Sequence, residues 1–346
     1  MIRYIQRKRI DLNKFGTLIL ESEKTNQFTN KGPAKKQLEK KLENILQIKN
    51  GKSILCVTNG TLALHAIYLF LLRRSKDIKI VSPSFTFPSC KVGFDQVEIV
   101  DIDPNTYTMP LSNSLIENYD VFVITNLFGT LPNNLEDWTR EVECRGKTLI
   151  FDNASSPMST FNGVNFCNLG DFSFGSLHHT KYMGFGEGGF LVCPSEYYNE
   201  FEEIIGFGFK EGVIKRKHNH LSSNFKMSDI QAASISQHID GYNFANHLSL
   251  QKYFLKKIKE RCKNVTPFNY SEGVFYGNMP LLFNRAVSIE KFRDNNIEAQ
   301  KYYYPLEEHR FSLDLFERII NLPLNGSMTI DDVDEMVRVV TEISGE

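Results

Sequence analysis

The chain has 346 residues, 41% hydrophobic and 23% charged, a balance that can bury the cores of about two domains. Forty basic residues against forty-one acidic ones give a net charge of -1, which excludes the basic field that nucleic acids or anionic membranes attract. Met1 to Arg9 lacks the apolar core of a signal peptide, no apolar run reaches the ~18 residues that span a bilayer, and six scattered cysteines form no C-x-x-C pair. A cytoplasmic protein with reduced thiols is expected.

The apolar run Leu62 to Leu72 reads as a buried helix. From Ile54 to Val192, short β-rich runs alternate with helical stretches. Strands are predicted at Ile54–Val57, Ile78–Val81, Val97–Val100, Val121–Ile124, Thr148–Phe151, Phe172–Phe174 and Phe190–Val192. Several are apolar throughout, as expected of parallel strands covered on both faces. The pattern is α/β, with a large sheet of about seven strands whose ends carry the chemistry. After residue 227 it changes. Ser228-Asp229 opens a long helical stretch from Ile230 to Cys262. Strand-like pieces follow at Gly273–Phe283 and Ile297–Tyr304, separated by the helical Ser288–Asn296, and Ile330–Ile343 forms the last helix. Residues 1–227 are thus expected to form an arm and a large α/β domain. Residues 228–346 are expected to form a connecting helix and a small α+β domain.

Three segments carry chemistry. Thr58-Asn59-Gly60-Thr61 follows the first strand and opens a helix, which suits either a phosphate site or a plain Thr-capped turn. Asp152 closes a buried strand and needs a partner: a turn amide, a metal or a protonated ring nitrogen. Ser176-Leu177-His178-His179-Thr180-Lys181 precedes Gly186-Glu187-Gly188-Gly189. Adjacent histidines on a strand point to opposite faces, which argues against a shared metal ion. Lys181 among apolar and small residues is either a solvated loop lysine or an amine of lowered pKa able to form a Schiff base.

In order and spacing, these segments resemble the DegT/DnrJ/EryC1/StrS sugar aminotransferases. That resemblance also takes in Phe28-Thr29-Asn30-Lys31-Gly32-Pro33, Pro83-Ser84-Phe85-Thr86-Phe87, Val100-Asp101-Ile102-Asp103, Asp152-Asn153-Ala154 and Asn224-Phe225-Lys226-Met227. It implies a pyridoxal 5'-phosphate (PLP) enzyme of transferase fold type I: a mostly parallel seven-stranded sheet plus a smaller α+β C-terminal domain. Lys181 would carry the cofactor, Asp152 would hold the ring nitrogen protonated, and Phe87 would stack on the ring. Gly60, Thr61 and Ser176 would bind the phosphate. Asn224 would reach it from a neighbouring subunit, making a homodimer with shared sites. His178 would lie beside the cofactor.

Two positions depart from the family pattern. Ser155 stands where Gln or His is usual near the ring hydroxyl, and Lys226 stands where Arg is usual. Counted from Phe172-Ser173-Phe174, the lysine position falls on His178; counted back from Gly186-Glu187-Gly188-Gly189, it falls on Lys181. The second register implies an aminotransferase. Glutamate would be the donor and a nucleotide-linked keto-6-deoxy sugar the acceptor, most closely the C4 ketone of a dTDP-4-keto-6-deoxyhexose. The product would serve lipopolysaccharide, O-antigen or another glycoconjugate. A PLP- or pyridoxamine-dependent 3-dehydratase and a 3-aminating transferase are the alternatives. The basic loop, with Lys215, Arg216, Lys217, His218 and His220, is either a diphosphate contact or a solvated surface.

Overall fold

The computed structural model of the chain describes residues 1–110, 112–130, 135–209 and 221–345. The basic loop anticipated for the diphosphate lies outside them. Seven strands form the large sheet: β1 (Lys52–Val57), β2 (Ile80–Pro83), β3 (Val97–Val100), β4 (Val121–Thr125), β5 (Thr148–Asp152), β6 (Phe172–Ser176) and β7 (Gly189–Pro194). Their order is β1-β7-β6-β5-β4-β2-β3, and only β7 runs antiparallel to its neighbours. This is the mostly parallel seven-stranded sheet the pattern predicts.

Side chains alternate across a strand, so each all-apolar run feeds two cores at once. Leu55, Val57, Leu191 and Cys193 face one layer, and Ile54, Cys56, Phe190 and Val192 face the other. The first layer is completed by α3 (Gly60–Leu72), after α1 (Leu12–Thr25) and α2 (Pro33–Ile45) have contributed to the second. Residues of α3 are apolar nearly all round, and Ala63, Leu64, Ala66, Ile67, Tyr68 and Phe70 are buried. Five of the six cysteines are buried, and all six are free.

The Lys31-Gly32-Pro33 motif has a structural explanation. Pro33 starts α2, where its missing N–H costs nothing, but Gly32 has no side chain with which to cap it. Asp229 caps it instead, accepting from the amides of Ala34 and Lys35 at 2.9 and 3.1 Å and from the Ser22 hydroxyl at 2.5 Å. A Cβ on residue 32 would sit 2.3 Å from that carboxylate. Asp101 has a similar role: it accepts from the amides of Phe311 and Ser312 and from the Ser312 hydroxyl, capping the helix Arg310–Arg318.

The C-terminal third departs from the sequence pattern in two places. The long helix is two helices, α4 (Asp229–Gly241) and α5 (Phe244–Arg261), because the Asn243 side chain accepts from the Asn246 amide at 3.0 Å and restarts the helix. The small sheet is β8 (Val265–Pro267), β9 (Met279–Phe283) and β10 (Ile319–Leu322). The piece Ile297–Tyr304 joins no sheet, since β10 occupies the place beside β9; it makes only isolated bridges to Ile2 and Asn321. Helix α6 (Ile330–Ser344) packs with α5 on this sheet through Phe254, Ile258, Val337 and Val340. Among the described residues, no helix is long and apolar enough to cross a membrane.

Candidate active site

Strand register brings two neighbouring rows of residues to the same edge of the sheet. Thr125 lies opposite Asp152, Asp152 opposite Phe174, Ser176 opposite Gly189, and Gly189 opposite Val57. Crevices at such strand ends are where open α/β sheets bind ligands. Here the crevice is a cavity of about 440 Å³. Gly60, Thr61, Phe87 and Asp152 line it, as do Ser155, Ser176, His178 and Lys181. Asn224 does not. It is exposed, bridged to Gly206 outside the cavity.

Helix α3 meets the cavity with its N-terminus. Asn59 is its cap, accepting from the Leu62 amide at 2.9 Å; the expected Thr cap is not used, since the Thr58 hydroxyl donates to the carbonyls of Phe225 and Lys226. Gly60 and Thr61 stand in the first turn, where N–H groups lack helical acceptors and the helix end is positive. The approach depends on glycine. A Cβ on residue 189 would lie 2.2 Å from the Asn59 carbonyl carbon, so Gly189 lets this turn rest directly on β7.

Asp152 is buried and accepts from the Ala154 amide at 2.8 Å. Burial pushes its pKa up to about 6, with that amide and Lys181 pulling the other way. Lys181 is enclosed by protein but keeps part of its surface on the cavity. Burial lowers its pKa, opposed by Asp152, and its Nζ makes no hydrogen bond among the described residues. Of the two candidate lysine positions, it is residue 181 that is electrostatically coupled to Asp152.

The two histidines lie in a turn after β6 rather than on a strand, yet they still diverge. His178 lines the cavity, with Nδ1 2.9 Å from the Thr180 hydroxyl and Nε2 3.5 Å from Glu187. His179 turns away and packs edge-on against Phe185. Ser155 and Tyr303 both line the cavity, and burial pushes the pKa of the Tyr303 phenol up to about 12. Lys226 lies 4.6 Å above the Phe207 ring and makes no bidentate contact.

Sequence reasoning missed the tyrosine wall. Tyr4, Tyr302 and Tyr303 all line the cavity, as does Asn278. The run Tyr302-Tyr303-Tyr304 was a signal, hidden by its reading as a strand; the N-terminal arm offered none.

The cavity fits a flat, phosphorylated heteroaromatic ring. Phe87 is 52% exposed, and it is an apolar ring that a stacked ligand would cover. Asp152 is a buried carboxylate that a ring N–H would satisfy. The start of α3 offers a phosphate its free amides.

Comparison with known proteins agrees. The model of the DegT/DnrJ/EryC1/StrS aminotransferase family matches residues 11–341. The dTDP-4-amino-4,6-dideoxy-D-glucose transaminase of Shigella dysenteriae is 23% identical over 92% of this chain and 92% of its own. A DegT DnrJ EryC1 StrS aminotransferase from Brucella abortus shares the fold with a TM-score of 0.82 at 20% identity, covering 99% of this chain and 100% of that one. DesI, solved in the presence of its TDP-sugar product, gives a TM-score of 0.81 at 16% identity, over 99% and 93%. Pyridoxal phosphate is the cofactor, as in the PLP and PMP forms of a Streptococcus pneumoniae protein, which share the fold with TM-scores of 0.82 and 0.83 at 18% and 17% identity. With the family match running almost end to end, the chain belongs to the DegT/DnrJ/EryC1/StrS aminotransferase family.

Proposed function

We propose that this enzyme transfers the amino group of L-glutamate to the C4 ketone of a dTDP-linked 4-keto-6-deoxyhexose. Glutamate leaves as 2-oxoglutarate, and the ketone becomes an amine. The product serves amino-sugar biosynthesis for a surface polysaccharide such as O-antigen, or for another glycoconjugate. The observation that carries this reading is that Lys181, Asp152 and the N-terminus of α3 share one cavity. The substrate class rests on the Shigella relative's dTDP-amino sugar and on the TDP-sugar product of DesI.

In this reading Gly60, Thr61 and Ser176 would hold the cofactor phosphate, Phe87 would stack on the ring, and Asp152 would pair with the ring nitrogen. When bound, pyridoxal phosphate supplies the electron sink that lets a C–H bond next to nitrogen ionise. Lys181 does the proton work. Its lowered pKa keeps a neutral amine accessible, so Nζ can take a proton from the α-carbon of glutamate and return one to the sugar carbon. Asp152, freed from burial without a partner, would hold the proton on the ring nitrogen. Ser155, at the position where family members carry Gln or His, lines the same cavity as Tyr303. Asn224, exposed and outside its own cavity, serves the cavity of a second copy in a homodimer.

A panel of dTDP-, UDP- and GDP-linked keto sugars with ¹⁵N-glutamate tests the assignment. A product heavier by the labelled amino group, with NMR placing it at C4, is expected. A deoxygenated product without nitrogen would replace the reading with a dehydratase. A label at C3 would correct the position.

A further inference from the structure

The turn that presents Lys181 is held from outside by a second lysine. Its own hydrogen bonds run from the His179 amide to Gly186 (2.7 Å), from the Lys181 amide to His178 (2.8 Å) and from the Gly184 amide to Lys181 (3.0 Å). Three carbonyls of this turn converge on one point. There Lys8 Nζ donates to His179 at 2.7 Å, Lys181 at 2.6 Å and Gly184 at 2.5 Å. Protonated, Lys8 has three N–H donors and no acceptor, and this cage satisfies all three, although burial lowers its pKa to about 7. No carboxylate pairs with Lys8 among the described residues.

Lys8 belongs to the N-terminal arm, 173 positions from Lys181 in sequence. The arm is tied down at its other end too. The Ile2 amide donates to Asn296 at 2.8 Å, the Glu298 amide donates to Ile2 at 3.0 Å, and the Tyr4 amide donates to the Glu298 carboxylate at 2.9 Å. Between these anchors Tyr4 faces the cavity. The arm therefore crosses from the small sheet's side to the cofactor turn, and Lys8 closes it.

We propose that Lys8 is a positioning residue for Lys181: by holding the carbonyl of residue 181 and those on either side of it, its ammonium sets where Lys181 Nζ stands. The reasoning is geometric. Gripping the Lys181 carbonyl fixes the peptide plane that leaves its Cα, which limits the direction of the side chain. With Lys8 removed, the His179 and Gly184 carbonyls would lose their donor and the Lys181 carbonyl would keep only the Gly184 amide, so three carbonyls would face one another and the turn would have to open. The inference rests on the role given above to Lys181.

The test uses holoenzyme and two variants, Lys8→Met, which keeps bulk and removes donors, and Lys8→Gln, which keeps two of them. Three quantities are read: the rate at which apoprotein and pyridoxal phosphate develop the absorbance of covalently attached cofactor, kcat against KM for glutamate, and the melting temperature. In wild type, borohydride reduction and peptide mass must locate the cofactor on Lys181; if they do not, the function proposed above fails before Lys8 is tested. For Lys8→Met, attachment and kcat should each fall at least tenfold, with KM for glutamate within twofold and smaller losses for Lys8→Gln. Attachment and kcat within twofold of wild type, whether or not the melting temperature drops, would overturn the proposal.

Discussion

Among the described residues, two lysine–carboxylate clusters can be compared, and their lysines behave in opposite ways, although burial raises the pKa of Glu39 as it does that of Asp152. Lys35, on α2, sits between Glu39 at 2.8 Å and Glu202 at 3.0 Å. Glu39 also accepts from the Cys56 amide at 2.8 Å, and Glu202 from the Tyr198 hydroxyl at 3.2 Å. Burial alone would lower the Lys35 pKa, but the two glutamates outweigh it and the pKa ends above the usual lysine value. At the cavity the same residue types have few partners. Asp152 accepts from one amide and feels the charge of Lys181, Lys181 Nζ makes no hydrogen bond among the described residues, and both pKa values move toward neutrality. Saturation makes an ion cluster structural; an unsaturated one keeps its protons available for chemistry.

Substitutions on each side can break or sharpen that contrast. The largest expected effect is that of Lys181→Ala, a fall in kcat of at least about 10³-fold with cofactor lost on dialysis, followed by labelled nitrogen in the product. Activity near wild type would remove the residue from the chemistry. Next is Lys35→Met, which strands two buried carboxylates and should cost about 3–5 kcal/mol in urea unfolding. Its kcat per folded molecule should stay unchanged. If it falls, the two clusters are coupled and the contrast is wrong.

Asp152→Asn should lower kcat by about 10²-fold while stabilising the apoprotein, a sign opposite to Lys35→Met. The folded pKa of about 6 lies above the ordinary carboxylate value of roughly 3.9, so the buried charge costs stability above pH 6 and the cost disappears as pH falls toward 4. The variant should therefore exceed wild type by about 1–3 kcal/mol at pH 7.5, with the gap closing in acid. Equal stability at both pH values would show that Asp152 is better satisfied than its environment indicates. Smallest is Phe87→Ala: apoprotein stability should move by no more than about 0.5 kcal/mol, because the ring is half-exposed. Cofactor affinity, followed by fluorescence titration, should weaken about tenfold. An unchanged affinity would mean that the ring does not cover the cofactor.

The Lys35 cluster also shows where sequence reading runs short. Nothing in Pro33-Ala34-Lys35-Lys36 marks the first residue of the lysine pair as the buried one. Glu202 lies 167 positions away, and only packing of the helix Tyr198–Ile205 against α3 and β1 brings it there. Asp101 and Asp229 belong to the same class. Their motifs were visible, but the helix ends they cap lie about 200 positions off. Tyr4 and Lys8 had no local signal at all.

What the sequence determined by itself was the layered sheet and the cavity floor. All-apolar runs of four to six residues must be covered on both faces, and their alternation assigns each side chain to a layer before any contact is known. Gly60, Asp152, Ser176 and Lys181 follow directly from strand ends, so their meeting at one edge was readable from the order of elements. Tertiary structure alone decided the walls and the electrostatics. Burial that shifts Lys181 and Asp152 toward neutrality, the tyrosines that close the pocket and the arm lysine that grips the turn all depend on contacts between distant segments. Local spacing carries no information about desolvation, because water is excluded only when the whole chain has folded.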